Sequence, residues 1–504
     1  MATLRATPYN HHLLMRYQLE SAELFVRKMP PDRLNFGIGK SDEGGEAKSS
    51  AKRRPSAILL ARVRIETSDG RSAVGCSGDR PSFGWLDKRP DKSPAVKLSM
   101  LLDLVESSRE IYLEQGADFA SPFGLWQAAY PAVATFAKEH DYEDLMASYA
   151  SALFERAVID GVCRIEGKPF ATMVREDRLG IDPGAIHPEL EGLRFGSLFP
   201  EKPRTSFHIR HTVGLSDPVD DSDRADGQRA GDGEPETLKE YAERDGLRYF
   251  KIKISGDADA DIERLGSIWN RVLVLADRPV ITLDGNEAYT DIKSFASFVD
   301  RFEEELPGMF QHTLFIEQPL TRALTLDPAT ADSVRRIDKK KPLVIDEADG
   351  TTSAFREAFA IGYSGCSHKN CKGVFKSLLN YALIHHWSEE SDRDIFLSGE
   401  DLSNMSLVPL HQDFATLGVL GIEHCERNGH HYAYGLSHLN EEEKRAVAEK
   451  HRDLYVERDG EYFLRIEDGQ VRAVSVQTEA FGTVTQPDWS SLTPLKDWRE
   501  ANGT

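Results

Sequence analysis

Residues 249–255 read YFKIKIS, a stretch that codes for two different faces. Successive side chains of a strand point to opposite sides, so Lys251 and Lys253 share one face while Phe250, Ile252 and Ile254 share the other. Taken alone, the alternation describes a half-solvated antiparallel strand. The sequence on either side of it changes that reading.

From about 205 to 425, short apolar runs recur at regular intervals: SFHIRHTVG, RYFKIKI, PVITLD, TLFIE, PLVID, GCSHK, IFLSG and VLGIEH. Segments of helical period separate most of them, among them DIERLGSIWNRVLVLAD, IKSFASFVDRF and GVFKSLLNYALIHHW. Strands alternating with helices predict an α/β fold with a parallel sheet, and eight such units over this length suit a closed (β/α)8 barrel of the TIM type. An open doubly wound sheet is the alternative, but no glycine-rich phosphate loop follows the first strand.

The flanks differ in texture. In residues 1–200, ILLARVRIETSDGRSAVG predicts a β-hairpin, and MLLDLVESSREIYLEQ and LMASYASALFERAVIDGV predict packed helices. Residues 440–504 carry a charged helix, EEEKRAVAEKHRDLY, and a second predicted hairpin, EYFLRIEDGQVRAVSV. The expected organisation is a barrel over 205–425, capped by a discontinuous α+β domain made from 1–200 and completed by 440–504. Two polar loops, 40–56 and the acidic 216–236, read as mobile insertions, and the second follows a barrel strand where a lid would sit.

Composition excludes some partners. Lys and Arg total 62 against 83 Asp and Glu, a net charge of −21, which leaves no basic surplus to meet nucleic acid or an anionic membrane. No apolar run is long enough for a membrane span, and the first residues lack the apolar core of a signal peptide, so a cytoplasmic location is expected. The five cysteines are sparse and odd in number, as in a reducing compartment. Cys366, His368 and Cys371 match no common zinc spacing.

The chemistry collects at strand ends. PVITLD ends at Asp284, TLFIE at Glu317 and PLVID at Asp346. Singly, each acid could be a helix cap. Three successive strands delivering an acid to one barrel mouth is a different matter, because crowded carboxylates repel and need a cation to hold them. Hard oxygen donors with room for water and substrate point to Mg2+. The strand before this set brings Lys253, and the strand after it brings Lys369, either of which can serve as a base if the site depresses its proton affinity. A solvated loop lysine remains the bland reading of Lys369, with Lys372 and Lys376 close behind it.

The ordered motifs KIK (251–253), LDGN (283–286), FIEQP (315–319), IDE (345–347) and HKNCKG (368–373) resemble those of the enolase superfamily, in its mandelate racemase/muconate lactonizing enzyme branch. The resemblance is close over 205–425 and weaker before it, where ASALFERAVIDGVCRIEGKPF carries it. It implies that Asp284, Glu317 and Asp346 are Mg2+ ligands and that Lys253 and Lys369 are acid/base partners across the substrate. It also implies that Lys251 is an auxiliary lysine and that Asn286 and Glu347 support the ligands, with Glu347 able to replace Asp346. The implied reaction removes the proton α to a carboxylate of a small molecule to form an enediolate. Racemisation, epimerisation and cycloisomerisation all follow from such a step; a dehydratase or other lyase acting on a sugar acid or hydroxy acid is the alternative, and a metal-binding member without turnover a third. A homo-oligomer is likewise implied by the resemblance alone. The sequence departs from the family in the acidic insertion at 216–236, in the long 28–56 segment that stands in place of the capping-domain loop, and at three later strand ends. NCKGVFK stands where a Gly-Gly step is usual, SGEDLSN brings no histidine, and Glu423 and His424 compete for the last strand end.

Overall fold

The computed structural model describes residues 15–34, 57–224 and 229–504. The 40–56 loop and residues 225–228 of the acidic insertion lie outside them. Eight parallel strands form the centre: β4 (Ser206–Val213), β5 (Tyr249–Lys253), β6 (Val280–Asp284), β7 (Thr313–Glu317), β8 (Leu343–Ile345), β9 (Gly365–His368), β10 (Phe396–Gly399) and β11 (His424–Glu426). Each pairs with the next in chain order, and β11 pairs with β4 through His424 opposite His208, so the sheet closes into the expected barrel.

The barrel settles the two faces of YFKIKIS. Phe250 and Ile252 are fully buried and Ile254 nearly so, packed outward beneath the surrounding helices. Burying such side chains contributes roughly 1.5–3 kcal/mol each. The lysine face is not wet: Lys251 is 1% exposed and Lys253 6%, both pointing into the barrel.

A second sheet lies outside the barrel, in the order β15-β1-β2-β3, with β1 at Tyr17–Lys28, β2 at Ala57–Thr67, β3 at Ser72–Asp79 and β15 at Thr493–Pro494. The predicted hairpin around Ser68-Asp69-Gly70 is β2 and β3. Three helices, Pro94–Gln115, Pro122–Glu139 and Asp144–Glu166, accompany the sheet, the first two opened by Ser93 and Ser121 accepting backbone N–H bonds. The third is buried from Leu145 to Cys163, sandwiched between sheet and barrel. Gly75 lets it come that close, since a Cβ there would stand 2.1 Å from the Ala157 carbonyl oxygen. The chain's end returns to this sheet, where Val26 pairs with Thr493.

Two strand expectations need correction. VLGIEH is not the last barrel strand: Val408–Leu420 is a helix and the strand starts at His424. That helix is buried on every side, so its letters show no polar face. The EYFL…QVRAV hairpin also fails. Glu467 and Gln470 do form a tight turn, but their flanks diverge. β13 (Glu461–Leu464) pairs with β12 (Tyr455–Arg458), while β14 (Gln470–Arg472) pairs antiparallel with β4 at the barrel's edge. Within the acidic insertion, Asp220 and Asp223 are tied to Arg271, and Asp232 to Arg33. The five cysteines are buried free thiols, and among the described residues no helix is long and apolar enough to cross a membrane.

Candidate active site

All eight residues singled out in the sequence lie at the C-terminal mouth of the barrel or just beneath it. β5 and β9 stand four places apart in a closed ring of eight, so Lys253 and Lys369 face each other across the mouth. β6, β7 and β8 fill the arc between them and bring Asp284, Glu317 and Asp346. Both lysines line one cavity of about 510 Å3, together with Asn286, Glu426, Trp85 and Lys88.

Each lysine has its own anchor. Lys253 Nζ donates to Asp284 Oδ2 at 2.5 Å and Asn286 Oδ1 at 2.6 Å. Lys369 Nζ donates to Asp346 Oδ2 at 2.6 Å and sits 4.3 Å from the centre of the Trp85 ring. Asn286 passes the connection on, its Nδ2 donating to Glu347 Oε1 at 2.9 Å. Gly285 permits the turn between these residues, because a Cβ there would stand 2.7 Å from the Pro319 Cα. Deeper in the barrel, Lys251 Nζ lies within 3.0 Å of four carboxylates: Asp284, Glu317, Glu400 and Glu426.

These contacts set the protonation states. Burial alone would lower Lys251, but Asp284, Glu317, Glu400 and Glu426 outweigh it and push the ammonium well up. Burial likewise opposes Lys369, and Asp346 more than restores it, so Lys369 is a firmly held ammonium. Asp346 is held well below the ordinary carboxylate range against its burial by Lys369 and Lys372, and Asp284 is lowered by Lys251 and Lys253. Glu317 goes the other way. Burial, Asp284 and Glu400 push its carboxyl well above the usual range, the mark of an acid set short of positive charge.

That shortage bears on a metal. Asp284 and Glu317 converge on one point, at 2.9 and 2.7 Å from Lys251 Nζ, and neither Glu317 oxygen accepts a well-aligned hydrogen bond among the described residues. Asp346 is the next acid along, turned toward Lys369, Lys372 and Ser367. Glu347, the alternative third ligand, accepts from Lys88 and Asn286 and keeps one oxygen unpartnered. Hard oxygen donors on adjacent strands, one under-neutralised, have the chemistry for a divalent cation such as Mg2+, although Asp346 as it stands is turned to the lysines and the three acids do not converge within ligand reach of one another.

Sequence reasoning missed four contributors. Glu400 bonds Arg210 at the end of β10, one residue past IFLSG, where the strand-end pattern already pointed. Glu426 was hidden by the misplaced last strand: neither Glu423 nor His424 reaches the mouth, while Glu426 binds Lys251 and Thr212. Trp85 and Lys88 come from the chain just after β3, and Lys88 donates to the Asn286 carbonyl at 2.7 Å and to Glu347 at 2.8 Å. No local pattern marks that segment as a mouth element.

With this geometry in hand, the comparisons with solved structures concern fold. The chain is similar to a mandelate racemase/muconate lactonizing enzyme from Bordetella bronchiseptica RB50, at 13% identity and TM-score 0.59, covering 96% of this chain and 99% of that one. It is also similar to a dipeptide epimerase from Enterococcus faecalis V583 complexed with Mg and L-Leu-L-Tyr, at 12% identity and TM-score 0.55, covering 93% and 99%. The L-Ala-D/L-Glu epimerase of Bacillus subtilis stands at 13% identity and TM-score 0.55, with the same coverage. The fold is therefore that of enolase-superfamily barrel enzymes, in agreement with the resemblance carried by the motifs. No protein-family model and no curated protein sequence matches the chain.

Proposed function

We propose that this chain is a Mg2+-dependent enzyme of the mandelate racemase/muconate lactonizing enzyme family that removes the proton α to the carboxylate of a small molecule, acting as a racemase or epimerase. The observation that carries the reading is the diametric pair: Lys253 and Lys369 end strands four apart in the ring and line one cavity. A substrate α-carbon held between them presents one face to each. One lysine, as free amine, takes the α-proton, and the other, as ammonium, returns a proton to the opposite face. Asp284, Glu317 and Asp346 would hold the metal, which supplies positive charge where the carboxylate becomes electron-rich. Lys251 keeps the inner acids together, and Trp85 and Lys88 close the cavity from above.

A second reading rests on Lys369 being firmly held as an ammonium by Asp346. Lys253 then acts as the only base and Lys369 as a fixed cation, an arrangement suited to cycloisomerisation or to elimination from a hydroxy acid. The test is α-proton exchange in D2O with Mg2+ across amino acids, dipeptides and sugar acids. Exchange with inversion supports the two-base reading, and exchange with loss of water or ring closure supports the second. Absence of exchange across the whole set would leave a binding protein.

A further inference from the structure

A different cluster lies on the outside of the barrel. Arg210 and Thr212 of β4 turn inward to Glu400 and Glu426, so His211 between them turns outward, 4.8 Å from the Tyr241 ring by centroids. There it meets His430 and His431, carried by the short helical turn Gly429–Tyr432 that follows β11. Since β11 and β4 close the ring, the first and last strands bring the three imidazoles together. One ring nitrogen from each lies within 4.8 Å of those of the other two. Nδ1 of His211 is shut off from water and finds no hydrogen-bond partner among the described residues, and His430 has only a backbone contact with Arg427. Leaving such an atom unsatisfied costs about 1–3 kcal/mol.

We propose that His211, His430 and His431 form a second metal site, outside the barrel and separate from the carboxylate mouth, for Zn2+ or a similar divalent transition ion. Three nitrogen donors select such ions over Mg2+, which prefers oxygen. Tetrahedral Zn2+ with Zn–N near 2.0–2.1 Å sets ligand nitrogens roughly 3.4 Å apart, so the rings close in by at most about 1.4 Å, within reach of side-chain rotation. Burial keeps the imidazoles in the neutral form that carries a free lone pair, His211 and His430 being lowered to about 3. Among the described residues a cavity of about 400 Å3 opens beside the cluster, walled by His211, His431, Tyr241, Asp217 and Glu236, from which water or a ligand would take the fourth position. Aromatic packing alone, such as His431 on Tyr432 at 4.0 Å, accounts for the stacking of the rings but not for the unpaired Nδ1 of His211.

The full chain, stripped with chelator and titrated with Zn2+ at neutral pH in excess Mg2+ to fill the carboxylate mouth, is expected to retain one zinc after gel filtration, read by elemental analysis. Asp284→Asn is expected to retain it equally, while His211→Gln and His430→Gln weaken it roughly tenfold or more. Should those variants fail to fold, X-ray absorption of the zinc-loaded wild type decides, with three imidazole nitrogens expected around the metal. No bound zinc, an oxygen-only shell, or loss of zinc in Asp284→Asn would each overturn the proposal. Mg2+-dependent proton exchange is read separately, so failure here leaves the proposed reaction standing.

Discussion

The two ends of the same barrel strands are built on opposite principles. At the N-terminal end, Tyr249 of β5 stacks between His208 of β4 and His424 of β11, at 4.7 and 4.9 Å. At the C-terminal end, two to four residues further along β5, stand Lys251 and Lys253 among buried acids. Burial lowers both histidines, His424 to about 3, so both imidazoles are neutral, whereas Lys251, Lys369, Asp284 and Asp346 are held ionised by one another. The lower end is cohesive packing. The upper end concentrates charge that packing alone would not choose, and in barrels that is the end where chemistry is done.

The largest expected effect separates the ends by activity. Lys253→Ala and Lys369→Ala should each slow α-proton exchange by about 10²–10⁴-fold, while Tyr249→Leu leaves the rate within a few-fold. A lysine variant exchanging at the wild-type rate would break the comparison. Next comes stability at the upper end: Glu400→Ala strands Arg210, wholly buried, without its carboxylate and should cost roughly 3–5 kcal/mol in denaturant unfolding. A much smaller loss would mean that the mouth charges are held independently. At the lower end, Tyr249→Ala removes two ring stacks and should cost about 1–2 kcal/mol without altering metal affinity.

The smallest effect is a pH slope. His424 is lowered from 6.5 to about 3 in the fold, so as pH falls below 6.5 the unfolded chain takes up a proton that the folded chain refuses. Stability contributed at neutral pH is then lost between 6.5 and 3, at most about 1.4 kcal/mol per pH unit from this residue. His424→Phe should flatten the upper part of that slope, measured by unfolding at several pH values. An unchanged slope would place the acid sensitivity at the mouth instead.

Much of the upper end was legible because strand ends announce themselves: an apolar run, an acid, then a turn, repeated at Asp284, Glu317 and Asp346. Glu400 obeys the same rule. Glu426 was masked for a physical reason, since a helix buried all round loses the polar face by which helices are recognised, and Val408–Leu420 therefore lent its last residues to a false strand. The cap's reach into the mouth was not legible, because Trp85 and Lys88 meet β6, β8 and β9 across more than 190 residues of chain. The histidine site needed the closure of the ring, which joins His211 to residues more than 210 positions away.

Trp85 and Lys88 carry one more consequence. They lie on a short stretch before the first cap helix, whereas the paired lysines and the acids belong to barrel strands and the turns that end them. The wall of the cavity is thus shared between two lengths of polypeptide, joined where the roof meets the bowl. Exchanging residues 82–88 for the matching turn of another barrel of this fold should change which molecules the cavity admits and, because Lys88 holds Asn286 and Trp85 lies on Lys369, should disturb the paired lysines as well.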